Sequence, residues 1–478
     1  MKEEIHEKCG VVGVSLFNAN KDAALYVREV LAALQHRGRD GTGIASGGKD
    51  KILCEYKNRG SVEGVLAEDK IARLAGSVAI GHNRYATNGD PTKHMQPFTD
   101  PLHRFAFAHN GNLPDTTNLE RALSGSGVNL DNYNDSEIAG IAIVDSMQQN
   151  RSSLPDAIEN IYNLMQGAFS CVAAHDDILV AFRDHCGIRP LEIGKFASGL
   201  VISSETCGLD SLEAEYIRSV APGEMVVIKD GKIVEARQLA KSNPHFDIFE
   251  YIYFGRPDSV FNGESVSGVR FRLGKELAML YSNCVKNKEN TVVIPIPETS
   301  YLMADGFAKY QDIHISHAIY KNQLISRSFM MKTQSERNKA VRSKHNVIQA
   351  AVNGKDVILI DDSIVRLTTI PIVVDKVRKA GAKSVSVLIG SSPIRYPDFY
   401  GINTPDQDKL AAAVLTIDQI KEQIGCDFLG YLPISAMVRA TGLKASQLNL
   451  SSFNGEYPID IGAHRNDIVK PKDKSYLN

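Results

Sequence analysis

The pattern of apolar segments changes near residue 245, and this change limits the possible folds more than any other feature of the chain. Beyond it, apolar strand-like segments such as 292–296 and 357–360 alternate with helical ones, which predicts βαβ units and a parallel sheet. The chain has 478 residues, too many for one ordinary hydrophobic core. We therefore predict a charged leader followed by two domains, at residues 1–8, 9–245 and 246–478.

Composition and charge exclude several classes of protein. A net charge of −2 gives no reason to expect nucleic acid or an anionic membrane as a partner, and no apolar run approaches the ~20 residues of a membrane span. Residues 1–8 lack the apolar core of a secretory signal. The seven cysteines are scattered and contain no Cys-x-x-Cys pair, which fits a reducing cytoplasm and disfavours a zinc or iron–sulfur site. We expect a cytoplasmic enzyme, or a regulator built like one.

A cysteine stands at the head of a strand-like segment near the N-terminus. Cys9 precedes the small and β-branched residues 10–14, which are typical of the beginning of a strand. If residues 1–8 are removed, Cys9 carries a free α-amine, which titrates near pH ~8 and can take the proton of the thiol. A terminal residue that is both nucleophile and base is a known catalytic device. The alternative is a buried cysteine at the start of a strand.

Four further residues have the chemistry to bind an α-amino acid and to stabilise an attack on its side chain. Arg84 follows a strand predicted at 78–80 and suits a planar carboxylate, although a surface ion pair is the alternative. Asn110 and Gly111 either offer an amide and a backbone N–H to an oxyanion or form an ordinary Asn-Gly turn. Asp135 heads a predicted helix, where it caps the helix or faces a substrate ammonium. With the N-terminal cysteine, these groups predict glutamine as the substrate.

A glycine-rich segment follows the helix that the apolar spacing predicts at 23–35. Residues 36–43 contain three glycines, which predicts a loop where the backbone approaches another group closely. An ordinary polar turn is the alternative.

Six motifs follow one another in the first half. They are Cys-Gly-Val at 9–11, His-Arg-Gly at 36–38, Gly-His-Asn-Arg-Tyr at 81–85, Gln-Pro-Phe at 96–98, His-Asn-Gly-Asn-Leu at 109–113 and Asp-Ser-Glu at 135–137. Together they resemble the N-terminal-nucleophile glutaminase domain of class II amidotransferases. The resemblance implies an αββα sandwich with Cys9 as the nucleophile. It also implies that Asn110 and Gly111 form an oxyanion hole. The residues that it implies for binding glutamine are Arg84, Asp135 and Arg37.

A second constellation lies where an apolar strand of the second half runs into adjacent carboxylates. The strand predicted at 357–360 precedes Asp361 and Asp362, and a helix is predicted from about Pro371 to near Gly381. A strand, a loop and a helix N-terminus form a phosphate site, because unpaired N–H groups and the helix dipole point at it. Adjacent carboxylates there engage ribose hydroxyls, or share a Mg²⁺ with a pyrophosphate. The alternative is a capped, solvated turn.

Three motifs of this half occur at 253–259 (Tyr-Phe-x-Arg-Pro-Asp-Ser), 297–300 (Pro-Glu-Thr-Ser) and 361–366 (Asp-Asp-Ser-Ile-Val-Arg). They resemble a type I phosphoribosyltransferase with a parallel sheet. The order of motifs resembles that of enzymes that join the two domains, and this resemblance implies that ammonia from glutamine displaces pyrophosphate from phosphoribosyl pyrophosphate, which makes phosphoribosylamine at the start of purine synthesis.

The same resemblance implies the ligands of this half. Asp361, Asp362 and Ser300 are expected to serve Mg²⁺ and its pyrophosphate, purine nucleotides are expected as inhibitors, and a homo-oligomer is expected. The residues expected to bind phosphoribosyl pyrophosphate or a nucleotide are Asp361, Asp362, Ser363, Ile364, Val365, Arg366, Leu367, Thr368, Thr369 and Arg327.

Two segments depart from the usual pattern of that phosphoribosyltransferase family. Leu367 stands where the phosphate loop usually has glycine, and leucine does not easily adopt a positive φ. The segment 321–329 resembles the loop that closes over the substrate and keeps Arg327, but it lacks an arginine, a tyrosine and a hinge glycine. These departures leave one alternative, a diverged amidotransferase with altered or lost phosphoribosyl transfer. A non-catalytic nucleotide-sensing or partner-binding protein is a further alternative, but it leaves the set of glutaminase residues unexplained.

The resemblance also bears on an iron–sulfur cluster that some members of the family carry. Asp398, Asn449 and Ser452 stand where its cysteines would fall. We therefore expect no cluster.

Overall fold

The computed structural model describes residues 9–17, 22–48, 51–84, 93–321, 345–402, 404 and 406–477. The predicted leader at 1–8, and Arg327 with most of the 321–329 segment, lie outside these residues. In the described part of the chain, no helix combines the length and the apolar character needed to cross a membrane.

Two antiparallel sheets form the first half of the chain. Their strands are β1 (Gly10–Leu16), β2 (Gly41–Gly48), β3 (Lys51–Asn58), β4 (Val78–Arg84), β5 (Phe98–Asp100), β6 (Phe105–Asp115), β7 (Gln166–His175), β8 (Ile178–Arg183), β9 (Glu192–Phe196), β10 (Gly199–Ser203), β11 (Glu215–Ser219), β12 (Glu224–Lys229) and β13 (Lys232–Gln238). Among the described residues, the first sheet has the order β11-β9-β10-β1-β4-β2-β3 and the second has the order β13-β12-β8-β7-β6-β5. The strand that follows Cys9 therefore lies inside the first sheet, between β4 and β10.

Helices cover the outer face of each sheet. They are α1 (Ala23–Ala33), α2 (Val62–Val65), α3 (Glu68–Ile71), α4 (Thr117–Ala122), α5 (Asp135–Asn150), α6 (Leu154–Tyr162) and α7 (Thr206–Asp210). The apolar side chains of α1 pack on the first sheet, and those of α5 and α6 pack on the second. Because side chains alternate between the two faces of a strand, the inner faces meet in a separate core that includes Val11, Ile80 and Ala108. The predicted αββα sandwich is confirmed.

A parallel sheet forms the centre of the second half. The strands of this half are β14 (Phe246–Asp247), β15 (Val260–Phe261), β16 (Glu264–Ser265), β17 (Thr291–Pro295), β18 (His314–Ile315), β19 (Ile319–Lys321), β20 (His345–Val347), β21 (Asp356–Asp361), β22 (Ser384–Ile389), β23 (Phe428–Tyr431) and β24 (Leu448–Asn449). In the described residues, β18-β17-β21-β22-β23 pair in parallel in that order. The strands predicted at 292–296 and 357–360 are β17 and β21, which confirms the parallel-sheet prediction.

Helices also cover both faces of the parallel sheet. They are α8 (Val266–Leu280), α9 (Tyr301–Gln311), α10 (Gln349–Val352), α11 (Ile370–Lys379), α12 (Ala411–Val414), α13 (Ile417–Ile424), α14 (Ile434–Thr441) and α15 (Ser451–Asn454). Helices α8, α9 and α14 pack on one face, and α11 and α13 pack on the other. Strands buried on both faces have continuous apolar sequences, which is why β17 and β21 were recognisable.

Two local predictions are wrong. The predicted loop at 36–43 is shorter, because residues 35–37 form a 3₁₀ turn and Gly41 and Gly43 lie in β2. The close backbone approach is nevertheless present, since a Cβ at Gly43 would lie 2.4 Å from the Gln96 carbonyl oxygen. The alternative of an Asn-Gly turn also fails, because Asn110 and Gly111 lie within β6 and pair with β7.

Candidate active sites

Cys9 lies at one end of the space between the two sheets of the first half. It directly precedes β1, and Val11, two residues further on, faces the core between the sheets. The alternation of side chains therefore turns Cys9 toward the same space. The residue is half-buried, and its carbonyl oxygen accepts a hydrogen bond from Arg37 Nε at 3.0 Å.

Arg84 is the last residue of β4 and lies beside Cys9. Asn83 pairs with Gly10 across β4 and β1, so the residues next to this pair meet at the same end of the sheet. Arg84 follows Ile80 by four residues and shares its face of the strand, which is the face toward the second sheet. Gly38 makes room for this strand end, because a Cβ there would lie 2.7 Å from the Arg84 carbonyl carbon.

Asn110 and Gly111 lie in β6 of the facing sheet, which contacts β1 and β4. Asn110 follows Ala108 by two residues and therefore faces the same space. It is 4% exposed, and its Nδ2 has no hydrogen-bond partner among the described residues. A buried donor without a partner is costly, so this amide suits a ligand oxygen such as an oxyanion. Gly111 has a φ of +142°, and a Cβ there would lie 2.0 Å from the Ala168 carbonyl oxygen.

Asp135 is the first residue of α5 and lies next to the C-terminal part of β6. The helix cap is Asn134, whose side chain accepts from Glu137 N–H at 2.9 Å, so the alternative that Asp135 is the cap is wrong. The Asp135 carboxylate accepts from the N–H of Leu113 at 3.0 Å and remains 21% exposed. The structure thus places a partly exposed carboxylate beside β6, the strand that contains Asn110, and its contact with a substrate ammonium stays a prediction.

Arg37 lies in a buried ion-pair network next to Cys9. Besides the Cys9 carbonyl, its guanidinium binds Glu205 at 2.5 Å and Glu250 at 2.9 Å. Burial alone would raise the pKa of Glu205, but the charges of His36 and Arg37 hold that pKa well below its usual range. These contacts occupy the guanidinium of Arg37. Its predicted contact with glutamine therefore stays a prediction.

The sequence interpretation missed the extension of this network into the second half. Arg189, almost fully buried, pairs with Asp247 at 2.8 Å and with Glu250 at 3.3 Å. Burial raises the pKa of Asp247 to about 7. The available signal was an arginine inside the short apolar motif Gly-Ile-Arg-Pro-Leu at 187–191, because a charge in an apolar segment requires a buried partner.

The residues that stand in place of cluster cysteines are buried polar groups of the same region. The Asp398 carboxylate accepts from the N–H groups of Tyr400 and Ile402 at 2.8 and 2.7 Å. Asn449 and Ser452 are buried as well. All three side chains are therefore packed in the interior of the second half.

Asp361 and Asp362 lie at the carboxyl end of β21, in the centre of the parallel sheet. Asp362 is buried and accepts a hydrogen bond from the Thr299 hydroxyl. The neighbouring Ser300 hydroxyl donates instead to the carbonyl of Ile296. Thr299 is therefore a contact of the carboxylate pair that the sequence did not predict, and the role of Ser300 at a metal stays a prediction.

This carboxylate pair fits a Mg²⁺ that arrives with a phosphorylated substrate. In the described residues, no three histidine, cysteine, aspartate or glutamate side chains are grouped so as to hold a metal. Mg²⁺ is usually bound by one or two carboxylates together with substrate phosphates and waters. Asp361 and Asp362 offer such oxygen ligands at the carboxyl ends of the strands of a parallel sheet, where ligands commonly bind.

The loop at 363–369 connects β21 to α11. The side chain of Thr369 does not cap α11. In the first turn Pro371 has no N–H, and the N–H of Ile372 donates to the Thr369 carbonyl at 3.1 Å, so a phosphate contact at this helix end stays a prediction. Leu367 has a φ of +54° and packs against the apolar cluster under α11. The leucine thus adopts the conformation that its residue type disfavours. Of the other predicted residues of the loop, Ile364 and Val365 are buried, and Ser363, Arg366 and Thr368 are half-buried.

Known proteins are similar to this chain along nearly its whole length. A family model described as a glutamine amidotransferase domain matches residues 82–211. The amidophosphoribosyltransferase of Synechococcus elongatus is 38% identical over 462 residues, which cover 95% of this chain and 92% of the relative. That of Methanocaldococcus jannaschii is 37% identical over 471 residues, with 95% and 98% covered. The structure of Bacillus subtilis glutamine phosphoribosylpyrophosphate amidotransferase, complexed with ADP and GMP, is 33% identical with a TM-score of 0.86, covering 95% of this chain and 98% of that one.

Proposed function

Because the chain belongs to the amidophosphoribosyltransferase family, we propose that it transfers ammonia from glutamine to phosphoribosyl pyrophosphate and so makes 5-phosphoribosylamine, the first step of purine synthesis. The observation that carries the proposal is the convergence of Cys9, Arg84 and the unpartnered amide of Asn110 at one end of the space between the sheets. Similarity extends over both halves, so nothing favours a diverged enzyme without phosphoribosyl transfer.

The first half is proposed to act as the glutaminase, at residues 9–245. After removal of residues 1–8, the α-amine of Cys9 takes the thiol proton, and the thiolate attacks the side-chain carbonyl of glutamine. Asn110 and Gly111 stabilise the oxyanion, while Arg84 and Asp135 bind the α-carboxylate and the α-ammonium. The C–N bond breaks, ammonia leaves with the proton held by the α-amine, and water then hydrolyses the thioester to release glutamate.

The second half, residues 246–478, is proposed to use the ammonia. Ammonia attacks C1 of the ribose, the C–O bond to pyrophosphate breaks, and phosphoribosylamine forms after loss of a proton to solvent. Asp361 and Asp362 would hold a Mg²⁺, which neutralises charge on the leaving pyrophosphate. The loop at 363–369 and the N-terminus of α11 would bind the 5′-phosphate. Ser300 and Arg327 are kept as proposed contacts of the same substrate.

Three further properties are proposed with this function. The Bacillus subtilis relative was solved with ADP and GMP, which supports purine nucleotides as inhibitors of this chain. We also propose that the protein is a cytoplasmic homo-oligomer. Inhibition of pyrophosphate release by added nucleotides, and the mass of the assembly in solution, test two of these points.

The test separates the two halves by the nitrogen donor. The purified chain is supplied with phosphoribosyl pyrophosphate, Mg²⁺ and either glutamine or ammonium, and pyrophosphate release is measured. Cys9→Ala is expected to abolish the glutamine reaction and to keep the ammonium reaction, because only the first half needs the thiol. Cys54→Ala, at another half-buried cysteine, is the control and is expected to keep both. Absence of pyrophosphate release with either donor would end the proposal, and an active enzyme that retains residues 1–8 by intact mass would refute the α-amine mechanism.

A further inference from the structure

A buried histidine ties the helix that carries Asp135 to the strand that carries the oxyanion pair. His109 immediately precedes Asn110 and is 2% exposed. Its Nδ1 lies 3.0 Å from Ser136 Oγ and 3.7 Å from the Asp135 carboxylate, and its Nε2 lies 3.3 Å from the Ala168 carbonyl oxygen. The imidazole of this β6 residue therefore contacts both α5, at Ser136 and Asp135, and β7, at Ala168.

The partners determine where the protons lie. A carbonyl oxygen only accepts, so His109 Nε2 carries the hydrogen that points to Ala168. In the neutral ring, Nδ1 is then an acceptor, and the Ser136 hydroxyl is its donor. The same hydroxyl lies 3.4 Å from the Asp135 carboxylate, which is the other acceptor within its reach. Ser136 has one hydroxyl hydrogen, so His109 and Asp135 compete for it.

A fourth group holds this arrangement in place. Gln96 accepts from the backbone N–H of His109 at 2.6 Å through its side-chain oxygen and donates to Ser136 Oγ at 3.2 Å through its side-chain nitrogen. Ser136 Oγ thus already accepts one hydrogen bond and has one to give. Its hydrogen is directed to whichever of the two acceptors is better placed, and the distances of 3.0 and 3.4 Å favour His109.

We propose that His109 is a positioning residue for glutamine, because it takes the hydroxyl hydrogen of Ser136 and so leaves the Asp135 carboxylate open to the α-ammonium of the substrate. The proposal rests on the proposed function, in which Asp135 binds that ammonium. Without an acceptor at the Nδ1 position, the Ser136 hydroxyl turns to Asp135 and competes with the substrate for it. His109 acts through Asp135 and does not touch the reacting amide.

The test compares glutamine with 4-carbamoylbutanoate, which is glutamine without its α-amine. An amide side chain can replace one of the two ring nitrogens of histidine, depending on its length. The amide of His109→Gln reaches the Nε2 position, so it keeps a donor for Ala168 but provides no acceptor for Ser136. The shorter amide of His109→Asn reaches the Nδ1 position and keeps the acceptor for Ser136. We expect His109→Gln to lower the ratio of kcat/KM for glutamine to that for 4-carbamoylbutanoate about tenfold, mainly through KM for glutamine, as expected for a weakened contact to a charged group. His109→Asn is expected to keep the ratio within about twofold.

A second substitution provides a rescue. Ser136→Ala removes the competing donor, so the double variant His109→Gln/Ser136→Ala is expected to recover most of the lost ratio, and Ser136→Ala alone is expected to show at least the wild-type ratio. The control is His175→Gln, at the opposite end of β7 from the site, which is expected to behave as wild type. Urea denaturation followed by circular dichroism checks the folding of each variant, because the ammonium-dependent reaction depends on the second half only.

Each outcome has a distinct meaning. Equal losses for both glutaminase substrates in His109→Gln, or no recovery in the double variant, would show a merely structural histidine and overturn the inference. A tenfold drop in the ratio of Ser136→Ala alone would also overturn it. If the wild-type enzyme hydrolyses neither substrate, the proposed function itself has failed.

Discussion

Replacing Leu367 by glycine and by alanine tests the left-handed backbone conformation in the loop at 363–369. Leu367 has a φ of +54°, and this conformation costs a residue with a Cβ about 1–2 kcal/mol. Glycine avoids that cost but loses about 0.5–1 kcal/mol more backbone entropy than alanine on folding. Leu367→Gly is therefore expected to unfold with a free energy about 1 kcal/mol higher than that of Leu367→Ala.

The comparison with wild type depends on the side chain as well. Leu367 is half-buried against the apolar cluster that contains Val373 and Val377. Full burial of a leucine contributes about 1.5–3 kcal/mol, so both variants lose about 1 kcal/mol from this contact. For Leu367→Gly the loss and the relief nearly cancel, and its stability should lie within about 1 kcal/mol of wild type. Leu367→Ala keeps the unfavourable backbone and should be less stable by about 1 kcal/mol.

Two measurements check this prediction. Urea denaturation gives the order of stability, which should place the glycine variant level with wild type and above the alanine variant. Pyrophosphate release with ammonium as the nitrogen donor reports the second half alone, and KM for phosphoribosyl pyrophosphate should stay within about threefold of wild type in Leu367→Gly, because the backbone is unchanged. An alanine variant as stable as the glycine variant would refute the left-handed conformation at this position.

Three further predictions follow from buried groups. Gly111→Ala puts a Cβ 2.0 Å from the Ala168 carbonyl oxygen, so the strand must shift. Because the shift moves the proposed oxyanion donors, the glutamine-dependent kcat should fall about 100-fold. The ammonium-dependent reaction is the control and should persist. Arg37→Met leaves two buried glutamates without their cation and should lower the free energy of unfolding, measured by urea denaturation, by about 3–5 kcal/mol. The control is Arg237→Met, whose partners lie near the surface and which should lower it by less than about 1 kcal/mol. Burial raises the pKa of Asp247 to about 7, above the unfolded value of about 3.9. Its contribution to the free energy of unfolding is therefore full below pH ~4 and is lost as pH rises toward ~7. Asp247→Asn should remove this decline in stability between pH ~4 and ~7, and an unchanged pH dependence of unfolding in the variant would contradict it.

The sequence by itself determined the elements whose signals are local. Strands β17 and β21 and helix α11 were predicted because their apolar periodicity lies within adjacent residues. The identity of Cys9, Arg84, Asn110 and Asp135 as one set followed from chemistry and from the order of motifs. Whether these residues meet could not be read from spacing, since it depends on the pairing of β1 with β4 and on the facing of β6.

The tertiary structure decided where charges and turns find their partners. Asn110 and Gly111 read locally as a turn, but pairing with β7 extends them into a strand. Arg37 finds its carboxylates 168 and 213 residues away, at Glu205 and Glu250, and Leu367 accepts a positive φ within a loop held between β21 and α11. Local sequence encodes the period of a segment, whereas the energy of a buried charge or of an unusual backbone conformation depends on groups that only the folded chain brings together.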